Sequence, residues 1–445
     1  MSDISYVIDG GVPLVGDIKL SGSKNIALKV IIASLLFEDE VILENIPKIN
    51  DVLVLIELIN YLGASAAFID KNTLKISSKS LNKNEVDLFF GSKTRVSFIL
   101  FAPLLHKFNH AKIPNPGGCR IGARPIDRVL EGLNALGVSA FYDHNTGYND
   151  AKISELRDST YTFPKPSVTG TELLIMFAAI GKSRKTILEN CVLEPEVDNL
   201  INFLNTSGAD VIRNGHQIII NSVPTLSRKN PFTIQIDRIE ASTFAVATLV
   251  TKGHTRLWPY EIPYVDPFFQ ALEKTGAKIQ KEGKYLKIEY DGPLKSVDVT
   301  TGPFPDFPTD SQPLWTILMT AAHGTSILHE KMFEGRFAYT EELKKLGAKI
   351  EFVDFPLKNP SDWYQFNYDS SKAYRQTISV TGPTILHNGV LKAADLRAGA
   401  SVVVAALSAK GESVINQAEN IDRGYEDIVS KLTLVGAKIK KVEIN

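Results

Sequence analysis

The residues with the clearest chemical content lie between Pro114 and Asp127, where the chain reads Pro114-Asn115-Pro116-Gly117-Gly118-Cys119-Arg120-Ile121-Gly122-Ala123-Arg124-Pro125-Ile126-Asp127. Its three glycines let the backbone pass close to a ligand. Arg120 directly follows Cys119, and Arg124 lies five residues after the cysteine. A neighbouring cation lowers a thiol pKa and makes the thiolate available. Arginine is also the side chain best shaped to grip phosphate or carboxylate with two parallel bonds. The pattern implies a reactive sulfur beside an anion site. A packed cysteine next to a turn fits the same stretch. The elements around the loop must decide between the two.

The whole chain narrows the choice. It has 445 residues, enough for two domains. Lys plus Arg number 49 and Asp plus Glu 50, a net charge of −1. That balance argues against a general binder of nucleic acid or anionic membranes, so any cationic site is local. The two cysteines, Cys119 and Cys191, form no CxxC. They fit a reducing compartment better than a disulfide framework. Cys191 has no basic neighbour and reads as packing. Met1–Ser5 lacks the basic and apolar regions of a signal peptide, which makes the cytoplasm the expected location. The apolar runs Val30–Phe37 and Val402–Leu407 are too short to insert across a membrane.

The chain also repeats itself. A segment with apolar spacing of three and four residues ends in a glycine at Gly63, Gly137, Gly208, Gly276, Gly347 and Gly436. The intervals are 74, 71, 68, 71 and 89 residues. This reads as an amphipathic helix with a C-cap glycine, followed by a strand. A second marker is a polar start followed by an apolar, Ala-rich helix. It occurs at Ser23-Lys24-Asn25, Thr94-Arg95, Gly170-Thr171, Ala241-Ser242, Asp310-Ser311-Gln312-Pro313 and Asp395-Leu396-Arg397. Helices apolar all round are buried. Pro313 suits a first helical turn, with Asp310 or Ser311 as its cap. Six α+β units of this size are expected to pack together, three per domain. If the buried helices share a direction, their N-termini converge and attract an anion, with Lys24, Arg95, Asp310 and Arg397 at those starts.

Nine motifs in order resemble the enolpyruvyltransferases, and among these the enzymes that act on UDP-N-acetylglucosamine. They are Ser21–Asn25, the Pro116–Asp127 loop, Ser167–Glu172, Glu194-Pro195-Glu196, Asp237–Glu240, Phe307–Gln312, Phe333–Phe337, Asp395–Ala398 and Ile421–Glu426. The relatives that make enolpyruvylshikimate phosphate share the fold but lack the Pro-Gly-Gly-Cys loop. The resemblance implies an α/β fold: a two-domain inside-out α/β barrel of six repeated βαβαββ units, three per domain. One domain is expected over 22–235 and the other over 1–21 plus 236–445, with the active site in the cleft between them.

The activity implied is transfer of the enolpyruvyl group of phosphoenolpyruvate to the 3′-hydroxyl of UDP-N-acetylglucosamine. It proceeds by addition and elimination through a tetrahedral ketal and releases phosphate. This step begins peptidoglycan precursor synthesis. The partners are these two small molecules, with no cofactor and no metal. Cys119 is expected to give the proton to C3 of phosphoenolpyruvate and to be the residue that fosfomycin alkylates. Asp310 is expected to be the base for the hydroxyl, with Lys24 and Arg397 completing the catalytic set. Lys24, Asn25, Arg124, Arg336, Arg397 and Arg423 would bind phosphoenolpyruvate. Arg95, Arg124, Pro125, Ile126, Asp127, Lys165, Ser167, Val168, Asp310 and Met332 would bind the nucleotide sugar. The alternatives are an enolpyruvyltransferase acting on another nucleotide and a silent nucleotide-sugar-binding paralogue. The silent protein should have lost one of these groups, and all are present. Asn115, Arg128, Leu193 and Tyr339 depart from the usual motifs. The segment Asn359–Tyr374 is longer than usual and accounts for the 89-residue interval.

Overall fold

A helix that ends in a tight turn needs one residue in the left-handed region, and only glycine enters it without strain. Gly63, Gly137, Gly208, Gly276, Gly347 and Gly436 have φ of 95°, 90°, 101°, 86°, 92° and 97° in the computed structural model. It describes residues 3–117, 126–182 and 184–444. Each of these glycines closes an amphipathic helix and turns the chain into a strand.

One complete repeat shows the plan. Strand Ser159–Thr162 leads through the buried helix Val168–Ala179 to strand Lys185–Glu189, which pairs with it in parallel. The amphipathic helix Pro195–Asn205 follows. Strands Asp210–Asn214 and Gln217–Asn221 then form a hairpin, and the second of them lies antiparallel to Lys185–Glu189. Six sheets occur among the described residues, five of four strands and one of three. In the smallest, a Glu85–Lys112 bridge stands where the opening strand would be.

Chain contacts divide the molecule into two units, one of residues 3–21 and 236–444, the other of 22–117 and 126–235. The chain ends complete the repeats. Val15–Lys19 pairs in parallel with His254–Trp258, and Phe232–Thr233 with Val41–Glu44. Asp3–Gly10 lies between Gly411–Asn416 and Lys438–Ile444.

The core of each unit is made of the buried helices. We label them α1 (Lys24–Ala33), α2 (Phe101–Phe108), α3 (Val168–Ala179), α4 (Arg238–Val250), α5 (Gln312–Ala321) and α6 (Leu396–Ser408). A 3₁₀ run, Arg95–Leu100, leads into α2. In one unit α4, α5 and α6 pack on one another; in the other, α3 packs on α2 and the 3₁₀ run touches both α1 and α3. Helix α3 is buried from Gly170 to Ala179 and α6 from Leu396 to Leu407, as helices without a polar face must be. Trp315 of α5 is fully buried beside Phe268 and Phe307, and its indole N–H donates to the Val297 carbonyl at 3.1 Å. Truncating such a side chain to alanine costs about 3–5 kcal/mol.

The helix starts differ from the sequence reading in two ways. Helices α3 and α4 begin one turn earlier, because Ser167 and Asp237 are caps. Ser167 Oγ accepts from Gly170 N at 3.2 Å, and Asp237 Oδ1 from Ile239 N at 2.8 Å and Glu240 N at 3.1 Å. At α5 neither expected side chain caps. Ser311 occupies the N-cap without a side-chain bond, and Asp310 lies in a 3₁₀ turn, Thr309–Ser311, ahead of the helix. The long segment before Asp395 forms an aromatic stack. Tyr364 lies parallel to Phe366, Tyr368 and His329, at centroid distances of 4.8, 5.7 and 5.7 Å. Among the described residues no helix is long and apolar enough to cross a membrane.

Candidate active site

Within the unit built on α4–α6, the three helix starts come together around Arg397. This side chain, at the beginning of α6, is 5% exposed. Its Nε lies 3.5 Å from Asp310 Oδ2, ahead of α5, and its Nη2 lies 3.7 Å from Asp237 Oδ2, the α4 cap. The guanidinium sits over the Tyr425 ring, 5.4 Å from its centroid, and the Tyr425 hydroxyl meets Thr243 Oγ1 at 2.8 Å. Burial alone lowers the Arg397 pKa; Tyr425, Asp237 and Asp310 outweigh it and hold the pKa above the ordinary arginine value. Nη1 of Arg397 is buried and without a hydrogen-bond partner among the described residues. A buried donor in that state loses the stabilisation of its missing bond.

Asp310 carries a second cation. Arg336 Nη2 lies 2.8 Å from Asp310 Oδ1 and is 3.4 Å from the Thr309 carbonyl. The expected base and two of the expected anion-binding arginines are therefore one cluster. Asp310 keeps 32% side-chain exposure while Arg336 has 4%. Met332 lies in the next turn and is half-buried. Its N–H donates to Glu330 at 2.8 Å, as does that of Phe333 at 3.2 Å. Arg423 is half-buried, two residues before Tyr425.

The unit built on α1–α3 holds a separate group. Ser23 Oγ caps α1 by accepting from Ile26 N at 3.4 Å. Lys24 at the first position pairs with Asp51 at 2.6 Å, and both are nearly buried, at 12% and 8%. Asn25 is half-buried beside it, and its carbonyl accepts from Lys29 Nζ at 3.1 Å. Lys29 in turn reaches Glu172 of α3 at 3.1 Å. Burial pushes the Glu172 carboxyl up to about 7 despite Lys29, with Glu196 and Glu194 adding repulsion.

The residues expected around the nucleotide sugar group in part. Ile126 and Asp127 start the helix Asp127–Ala135; Ile126 packs on the core and Asp127 is exposed. Arg128 then donates to the Pro166 carbonyl at 3.4 Å. That bond ties the Ile126–Asp127 turn to Lys165, Ser167 and Val168. Arg95 opens the 3₁₀ run and is half-buried. Cys119, Arg124 and Pro125 lie outside the described residues. Cys191 is fully buried, and burial raises its thiol to about 11, as a packing residue requires. Tyr339 is buried and bonds Thr316 Oγ1 at 2.6 Å. Among the described residues no group of three or more His, Cys, Asp or Glu is placed to hold a metal ion.

Sequence reasoning gave no role to Asp51, Asp237, Tyr425, Lys29 or Glu330. Asp237 and Tyr425 lie inside recognised motifs, so their position was available although their partners were not. Asp51, Lys29 and Glu330 stand in ordinary helix and turn sequence, and only burial singles them out.

The chain matches the family model described as EPSP synthase (3-phosphoshikimate 1-carboxyvinyltransferase) over residues 8–432. It is 36% identical to the UDP-N-acetylglucosamine 1-carboxyvinyltransferase of Thermotoga maritima over 439 residues, 98% of each chain. It is 39% identical to UDP-N-acetylglucosamine 1-carboxyvinyltransferase 1 of Caldanaerobacter subterraneus subsp. tengcongensis over 435 residues, again 98% of each. Among solved structures it resembles the enolpyruvyl transferase NikO of Streptomyces tendae, with TM-score 0.85 and 22% identity over all of both chains. EPSP synthase of Acinetobacter baumannii aligns with TM-score 0.73 and 16% identity over 99% of this chain and 100% of that one. These two likenesses bear on the fold. The family model and the full-length relatives identify the chain as a transferase of the EPSP synthase family, in the branch of the UDP-N-acetylglucosamine 1-carboxyvinyltransferases.

Proposed function

We propose that this enzyme transfers the enolpyruvyl group of phosphoenolpyruvate to the 3′-hydroxyl of UDP-N-acetylglucosamine, in the cytoplasm, and releases phosphate. The observation that carries the proposal is the Arg397 cluster: a buried guanidinium whose Nη1 has no partner among the described residues, paired with the carboxylate of Asp310. An anion seat and a base in one cluster are what the reaction demands.

The steps follow from the groups. Asp310 accepts the proton of the 3′-hydroxyl as the oxygen attacks C2 of phosphoenolpyruvate. Cys119 gives a proton to C3, a task suited to a thiol whose ordinary pKa is about 8.5. The product of addition is a tetrahedral ketal bearing phosphate. Elimination removes a proton from C3, returns it to the enzyme, and expels phosphate. Arg336 and Arg397 neutralise charge on the substrate, helped by Lys24, Arg124 and Arg423, with Asn25 as orienting group. Electrostatic preorganisation of this kind is worth about 10²–10³ in rate per donor. Arg95, Arg124, Pro125, Ile126, Asp127, Lys165, Ser167, Val168, Asp310 and Met332 contact the nucleotide sugar in this reading.

Phosphate release tests the reading. It should require phosphoenolpyruvate and UDP-N-acetylglucosamine together and persist in EDTA. Equal release without the sugar nucleotide would overturn it, as would loss of activity to the chelator.

A further inference from the structure

The carboxylate of Glu330 is fully buried, immediately after the strand Gly324–His329. Its two oxygens face different parts of the site. Oε2 accepts from Thr309 Oγ1 at 2.9 Å, and Thr309 precedes Asp310. Oε1 accepts from the N–H groups of Met332 at 2.8 Å and Phe333 at 3.2 Å. Arg336, the partner of Asp310, offsets the cost that burial imposes on the Glu330 charge. Gln376 Nε2 holds the same turn from outside, donating to the carbonyls of Glu330 at 2.8 Å and Phe333 at 2.9 Å.

We infer that Glu330 is a positioning residue for the transfer reaction, fixing the Asp310 turn and the Met332–Phe333 turn against each other. The inference rests on the function proposed above and deepens it. A buried carboxylate is retained only where its bonds are satisfied. Here donors come from both turns, with the Thr301 hydroxyl adding a third point of support, so this one side chain ties the two turns together. Two acceptor oxygens are required, and glutamine has one. Thr309 transmits the restraint to Asp310 through one neighbouring peptide, and Arg336 closes the ring from the other side. A base held this way keeps its carboxylate aimed, and small misplacements of a reacting group cost large factors in rate.

Thr309→Val removes the hydroxyl and keeps the shape, cutting the restraint on the Asp310 side alone. It should lower kcat about tenfold and leave the KM for UDP-N-acetylglucosamine within about twofold, because the Met332–Phe333 turn stays held. Thr309→Ser keeps the hydroxyl and should restore kcat to within about twofold. The melting temperature should fall by no more than about a few degrees in Thr309→Val, where a buried carboxylate loses one bond, and hold in Thr309→Ser. A kcat unchanged in Thr309→Val overturns the inference, and so does a loss that serine fails to rescue. Wild-type turnover in the same assay judges the proposed function separately. A crystal structure of Thr309→Val judges the inference without turnover: the 2.8 Å Arg336–Asp310 pair should lengthen by about 1 Å, and an unmoved pair refutes the restraint.

Discussion

At the scale of single residues, Asp310 is defined by the two arginines that hold it. Asparagine in its place keeps size and hydrogen-bonding reach but removes the charge. Arg397 would retain Asp237, and Arg336 would retain Glu330. Asp310→Asn should therefore melt within roughly 5 °C of wild type. Turnover should fall by about 10²–10⁴, the usual contribution of a general base. Affinity for UDP-N-acetylglucosamine should stay within about tenfold, because the amide still bonds the hydroxyl. Turnover, melting and calorimetric affinity on one preparation decide the matter. A collapse in melting with near-normal turnover makes Asp310 a structural ion-pair partner. The two thiols separate just as cleanly. Cys191 is enclosed and its thiol is pushed up to about 11, so it offers almost no thiolate at neutral pH. Intact-mass spectra after fosfomycin should show one adduct on wild type and on Cys191→Ser, and none on Cys119→Ser. An adduct that survives on Cys119→Ser contradicts the assignment of the reactive sulfur.

The elements work as levers for these residues. The cysteine loop departs from a contact between two glycines: Gly117 N donates to the Gly91 carbonyl at 2.9 Å. A Cβ on Gly117 would stand 1.8 Å from the Ser92 carbonyl oxygen, and one on Gly91 would meet Pro114 at 2.2 Å. Backbone atoms cannot yield as a side chain does, so Gly117→Ala must shift the start of the loop. Its kcat should drop by about tenfold or more with little change in melting, and full turnover in that variant would show that the contact is dispensable. Elements were the most legible level of the sequence. The six turn glycines are marked by apolar spacing before them, and all adopt positive φ. Helix starts were less legible, because Ser167 and Asp237 read as part of the preceding loop until their caps are seen. Asp310 misled in the other direction. Its sequence, Thr309-Asp310-Ser311-Gln312-Pro313, has the composition of a cap, but a 3₁₀ turn intervenes and the carboxylate turns to Arg336 and Arg397. Glu330 was invisible because His329-Glu330-Lys331 looks like a charged surface turn. Its importance depends on burial between residues distant in sequence.

At the scale of the whole molecule, stability should depend on pH through groups held far from their ordinary pKa. His329 is enclosed by Phe355, Trp363 and Tyr364, and its Nδ1 meets Thr377 Oγ1 at 2.7 Å. Burial, with Lys331 nearby, lowers it to about 4. The unfolded chain then binds more protons than the folded one from about pH 6.5 down to about pH 4, so acid removes stability over that window. Glu172 acts in the opposite sense. Its folded pKa is raised, so it costs stability as pH climbs toward about 7. Comparing wild type with His329→Asn cancels the Glu172 contribution. Wild type should lose more melting temperature than the variant between about pH 6.5 and pH 4. Parallel curves would show that His329 does not carry the acid sensitivity.

If an enolpyruvyl group moves intact to one sugar oxygen, a labelled carbon must move with it. Phosphoenolpyruvate carrying carbon-13 at C2 is turned over with UDP-N-acetylglucosamine and followed by NMR, with phosphate measured alongside. The label should appear as an enol-ether carbon coupled to the sugar proton at C3′, in equal amount to the phosphate released. Label found in free pyruvate, or on another oxygen of the sugar nucleotide, would exclude that transfer.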